Sequence, residues 1–284
     1  MFSSRYAEED WKMKTELRTN LKAIFGRAYV RLVGAHREPS WLISEALLPL
    51  LSTAAFVYVY KALKAPEEYT GFVILGGAMT AYWINVLWSM AAQFYWEKEM
   101  GNLQLYLVAP ISRMAILLGM ATGGFYLAST RAIFVFVIGS LIFKVNFAVI
   151  SPGKLALIFF LTQVALYGLG MMFSSLFMLF GREAWHTTNL FQEPIYLLSG
   201  FFFPIRSLGM TVGLVASLIP LTLGLDGMRQ LAFKGGRELG LLNVNLEIYG
   251  LAVLSIVFLI ASHYALKYME NMGKKEGRLT LRWQ

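Results

Sequence analysis

"YWEKEMGNLQLYLVAPISRMAILLG", residues 95–119, lies between two strongly apolar runs, 73–92 before it and 115–143 after it. Glu97, Lys98 and Glu99 stand in a row, Gly101 follows, and a half-apolar segment ends in a Pro-Ile-Ser-Arg turn at residues 110–113. A plain connection needs only a few polar residues. This one has the composition of a segment that meets something in water.

The flanking runs belong to a chain of 284 residues that is 57% hydrophobic and 15% charged, with mean hydropathy +0.56. A soluble domain carries about 25% charged residues. The composition therefore indicates an all-α integral membrane protein, whose helices each need roughly 20 apolar residues to span the bilayer. There is no cysteine, which excludes disulfides, thiolate metal sites and a cysteine nucleophile. The net charge of +8 reads as basic loops held in the cytoplasm rather than as a nucleic-acid surface.

Six spans are expected, at residues 41–60, 71–92, 115–143, 155–180, 187–203 and 248–266. Residues 208–225 are also apolar, but Gly209, Gly213 and Pro220 interrupt them. Charge decides whether this stretch crosses. If it does not, sixteen Lys and Arg lie on the side of both termini and eight on the other, with Arg131 inside a span. The positive-inside bias then puts both termini in the cytoplasm. The broken stretch dips into the outer leaflet and returns, as a re-entrant helical hairpin buried against protein. The expected organisation is a cytoplasmic tail and interfacial amphipathic helix at 1–40, a six-span domain at 41–266 and a basic cytoplasmic tail at 267–284. Within the six-span domain, 93–114 is a cytoplasmic loop and 204–246 the external re-entrant region.

In the N-terminal segment Leu17, Leu21, Ile24, Phe25, Ala28 and Leu32 share one helical face. Arg18, Lys22, Arg27 and Arg31 flank it, a pattern suited to a helix lying in the membrane interface. Pro39 disfavours helix at Glu38 and should end the segment. No apolar core follows the first basic residues, so a cleavable signal peptide is not expected.

In the opening stretch, Leu103, Leu107 and Ile111 are spaced four apart, giving a short amphipathic helix that stops at Pro110. On pattern alone it is either a docking element for a cytosolic partner or a loop that caps two helices.

The stretch resembles the signature of ABC-2 type exporter permeases: acidic residues, a glycine, a Leu-rich helix, then "APISR" and "LLG" opening the third span. "PIYLLSGFFFPIRSLG" at 194–209 is similar to that family's fifth span and external entry, and "IPLTLGLDGMRQLAF" at 219–233 to its Pro-Leu-Thr and Asp-Arg segment. The likeness implies a permease subunit of an ATP-driven exporter in the plasma (inner) membrane of a prokaryotic-type cell, paired with a second permease chain. It also implies cytosolic ATPase subunits carrying ATP and Mg. The loop after span two would be the coupling helix, with Glu97, Glu99, Gly101, Leu103, Leu107, Pro110 and Arg113 as its expected ATPase-facing residues.

No G-x-x-x-x-G-K-[ST] occurs in the chain, so this route to nucleotide binding and hydrolysis belongs to a separate subunit. His36, His186 and His263 lie in different segments and make no metal-ligand spacing. Tyr196, Phe201, Phe202 and Phe203 either line a substrate path or pack against lipid. Arg131 and Glu193 are charges well inside spans, where a charge costs about 2.5–3.5 kcal/mol on insertion scales. By depth they are expected to pair, as a strut or as a gate. Two other functions stay open: an ion-coupled secondary transporter, which would show inverted repeats and several buried carboxylates, and a membrane assembly factor without transport. Drugs, lipids, glycans and polysaccharides all fit the resemblance, so the substrate stays open.

Overall fold

A computed structural model describes residues 2–276; among their side chains, those of 2–13, 39, 41–42, 107, 176, 178–185, 187–189 and 191 are outside the description. The expected basic tail therefore lies outside the described residues from 277 onward. Among the described residues the regular structure is helical throughout.

The chain opens with α1 (Phe2–His36), and α2 (Pro39–Ala62) begins at the proline expected to break it. α3 (Glu68–Ile84) widens into a π-helical stretch, Asn85–Ala91, and continues as α4 (Gln93–Glu99). Gly101, at φ 79°, turns the chain into α5 (Asn102–Val108). Ala109 takes the extended conformation that a following proline demands. Then come α6 (Arg113–Phe143), α7 (Pro152–Leu198), a 3₁₀ turn (Ile205–Leu208), α8 (Met210–Ala216), α9 (Pro220–Ala232) and α10 (Val244–Glu276).

Among the described residues, five helical stretches are long and apolar enough to cross a bilayer: Ile43–Ala62, Glu68–Glu99, Arg113–Phe143, Pro152–Ser175 and Val244–Lys275. α8 and α9 meet at 117° across a short break and make a sixth if counted as one broken span. α7 has 47 residues, about 70 Å if straight. It is not straight. Thr222 Oγ1 donates to the carbonyl of Leu198 at 3.2 Å, while Gly224, two residues on, abuts Thr162. Thr162 and Leu198 would lie about 54 Å apart on one rod. α7 is thus two limbs folded back on each other.

The α3–α4 stretch is the centre of the bundle, with 83% of its apolar window buried against 17% for the α2 and α10 windows. Burial against lipid-like surroundings brings no hydrophobic gain between helices, so close packing over small residues does the holding. Gly76 faces the carbonyl of Phe201 so closely that a Cβ would sit 1.5 Å from its oxygen. α1 packs along α6 in the same way: a Cβ on Gly119 would meet Ile24 and Arg27, and one on Gly123 would meet Ala28 and Arg31. The apolar stripe of α1 is therefore divided. Ala28 is buried, while Leu17, Leu21 and Phe25 stay exposed.

The turn after α7 is held by Arg229 of α9, 3% exposed. Its Nη1 donates to the carbonyls of Gly200 (2.7 Å) and Phe203 (3.0 Å), and its Nη2 to those of Phe201 (2.7 Å) and Phe72 (3.1 Å). The guanidinium also lies over the Phe72 ring, 5.4 Å from its centroid. On the next residue, the Gln230 side-chain amide donates to Asp226, Glu247 and the Leu242 carbonyl, and the Leu241 N–H donates to Asp226. This ties α9 to the start of α10.

Arg229→Met should strand four buried carbonyl groups and destabilise the fold by about 3 kcal/mol or more. Arg229→Lys should recover less than half of that, because an ammonium has no planar fork. Thermal unfolding in detergent micelles checks both. A lysine variant as stable as the parent would show that charge alone holds the turn.

Candidate functional site

The segment 93–114 is built around Glu97. Its side chain points inward and the residue is 3% exposed. Oε1 accepts from Arg27 Nη2 on α1 and from Gln93 Nε2 at 2.8 Å; Oε2 accepts from Asn102 Nδ2 at 3.0 Å and Tyr106 Oη at 3.3 Å. A carboxylate offers about four acceptor positions, and all are filled. Arg27 also stands over the Tyr106 ring, 5.6 Å from its centroid. Burial, with Glu97 alongside, pushes the Tyr106 hydroxyl above its ordinary pKa, so it remains a donor. The result is a junction joining α1, α4 and α5.

This corrects the expectation that Glu97 faces a partner. It braces the segment from inside. Leu103 is likewise turned into the core at 2% exposed. The outward apolar face consists of Met100 (66% exposed), Leu105 (67%) and Val108 (82%). Glu99 is half-buried and Pro110 exposed; the side chain of Leu107 lies outside the described residues. Arg113 also serves the interior, pairing with Glu270 of α10 at 3.1 Å. The Ser112 N–H donates to Asn20 Oδ1 at 2.8 Å, so α1 caps the start of α6.

A second feature lies within the bundle: a cavity of about 600 Å³ between α2, α3, α6 and the second limb of α7. Glu45 and Phe56 mark its extent on α2, roughly 16 Å along the helix. Arg131 and Glu193 both line it, as their depth suggested. They do not pair with each other. Arg131 forms its ion pair with Glu45 of α2. Glu193 is exposed toward the cavity instead.

The aromatic residues divide as well. Tyr196, Phe202 and Phe203 line the cavity, and Phe202 stacks on Phe56 with ring centroids 4.1 Å apart and planes at 10°. Phe201 is fully buried in the core, contributing its carbonyl to Arg229 rather than its ring to the path. The π-helical stretch grips both limbs of α7 beside the cavity. Tyr167 Oη donates to Asn85 Oδ1 at 3.2 Å, and Trp88 Nε1 to Gln192 Oε1 at 2.9 Å. Sequence reasoning missed the roles of Arg27, Glu45, Asn85, Trp88 and Arg229. A charged Asp-x-x-Arg inside an apolar stretch, Asp226 and Arg229, was the one available signal of a buried network.

Comparison with known proteins adds the following. A family model described as "ABC-2 type transporter" matches residues 20–233. The chain is also 27% identical over 172 residues to the "Probable multidrug ABC transporter permease YbhR" of Escherichia coli strain K12, and equally to the protein of that name from Escherichia coli O157:H7. The match takes in 59% of this chain but only 45% of those relatives, so the chain spans under half the length of the curated proteins it resembles.

Removing one partner of a fully buried ion pair costs about 3–5 kcal/mol, because the other charge is stranded. The Glu45 side chain is 25% exposed, so Arg131→Met and Glu45→Gln should each cost less, about 2 kcal/mol. The double variant should recover most of that in a thermal-unfolding cycle. Additive losses, or recovery by Glu193→Gln in place of Glu45→Gln, would refute the pairing.

Proposed function

The chain belongs to the ABC-2 type transporter family, and we propose that it is the membrane-spanning permease subunit of an ATP-driven exporter. In this reading it supplies half of the translocation path, and a second permease chain, identical or homologous, supplies the other half. Cytosolic subunits bind ATP and Mg and hydrolyse the nucleotide. The membrane is the inner one, six segments cross it, and both termini are cytoplasmic. α8 and α9 form the external re-entrant pair.

The observation that carries this reading is the segment 93–114. It presents Met100, Leu105 and Val108 outward while its base is fixed from within by Glu97. Read as facing the cytosol, exposed apolar side chains on this segment mark a contact surface. Its bracing suits force transfer, since a load applied to α5 reaches α1 through the Glu97–Arg27 contact. The same load reaches α3 through the continuous path of α4 and the π-helical stretch. α3 in turn walls the cavity at Thr80, Ala81 and Ile84. Nucleotide-driven movement of the partner would thus act on the cavity without a further linker.

Leu105→Asp combined with Val108→Asp should abolish stimulation of ATPase activity in reconstituted complexes of the chain with its nucleotide-binding subunit. The variant should insert and fold normally, because both side chains are exposed. Glu97→Lys should instead lower the amount of folded chain, through loss of the junction. Normal stimulation by the double variant would remove the coupling assignment.

Topology is open to an independent check. Lys64→Cys and Gly235→Cys should react with an impermeant maleimide added outside intact cells, and Gly101→Cys and Lys275→Cys should not. External labelling at residue 275 would make the α8–α9 pair a true span.

A further inference from the structure

The cavity between α2, α3, α6 and the second limb of α7 carries an unbalanced charge. Among the described residues three charged side chains line it: Glu45, Arg131 and Glu193. Glu45 and Arg131 satisfy each other. Glu193 has no ion pair among the described residues, and it is exposed on the cavity side. The remaining wall is mainly apolar and aromatic. Tyr196 lies three residues on from Glu193, on the same helical face, and Phe56, Leu197, Phe202 and Phe203 belong to the same wall.

These features select a ligand chemistry. An anion would meet a surplus carboxylate, since Arg131 is already neutralised. A neutral chain would fill the apolar wall but leave Glu193 uncompensated next to aromatic rings. A cation with an apolar body satisfies both. Its charge is balanced by Glu193, and the negative faces of nearby rings add cation–π attraction. The volume of about 600 Å³ lies within the range of sites that enclose drug-sized molecules.

We infer that this cavity binds an amphipathic monovalent cation, held at Glu193 and packed against Tyr196, Phe202 and Phe203. The inference rests on the permease reading above and adds the substrate class. Glu193 is a recognition residue, set apart from the Glu45–Arg131 pair, which shapes the cavity wall.

The test uses the full chain in lipid nanodiscs, with empty nanodiscs subtracting partition into lipid. The probes are tetraphenylphosphonium and tetraphenylborate, which share a shape and differ in the sign of charge. Tetraphenylphosphonium should bind saturably and tetraphenylborate should not. Glu193→Gln should weaken tetraphenylphosphonium about tenfold without moving the unfolding temperature, and Glu193→Asp should keep most of the affinity. Unchanged affinity in Glu193→Gln, or equal saturable binding of the anion, would overturn the inference. Binding is read with no ATPase present. Its loss therefore strikes this proposal alone, while failed ATPase stimulation with intact binding strikes the permease reading alone.

Discussion

The structure turns on a single guanidinium. Arg229 is buried and has four backbone carbonyls around it, three from the turn at 200–203 and one from Phe72. In a bilayer an unsatisfied carbonyl costs several kcal/mol, and a helix that ends within protein leaves such groups behind. Arg229 answers four of them with two nitrogens. Because α9 carries the arginine, the return of the chain after α7, the start of α3 and the α8–α9 pair are fixed relative to one another. The aromatic wall of the cavity inherits its position from that contact, since Phe202 and Phe203 lie in the clamped turn.

The rest of the bundle follows the economics of lipid rather than of water. α3 is enclosed, while α2 and α10 turn Leu47, Leu51, Tyr249, Val253 and Ile256 outward. Contacts between helices are made where side chains are small, as at Gly76, Gly119 and Gly123. Polar side chains inside the bundle act as discrete fasteners: Tyr82 to Ser129, Trp88 to Gln192 and Ser255 to the Leu161 carbonyl.

The features legible in the sequence were those written along the chain. The apolar runs located the long helices, and Pro39 and Pro110 ended helical segments. Depth was legible too, since Arg131 and Glu193 do share one cavity. Azimuth was not. A residue's height in a span follows from counting, but its direction depends on how neighbouring helices rotate, and sequence spacing does not carry that. Arg131 therefore turned to Glu45, and Glu97 and Leu103 turned inward while Leu105 and Val108 turned out. The role of Arg229 was missed for another reason. Counting charges for topology treats every basic residue outside the spans as solvated, and this one is buried.

The π-helical stretch Asn85–Ala91 has a geometric consequence for the whole central rod. A π-type turn takes in one residue more than an α turn, so each such insertion shifts the helical phase by roughly 100°. The stripe of side chains that α3 shows above the stretch is therefore not continued by α4 below it. A helix with one unbroken phase has a single front and a single back. This one changes front partway down, so it can be packed on nearly every side by different neighbours without any of them having to wind around it.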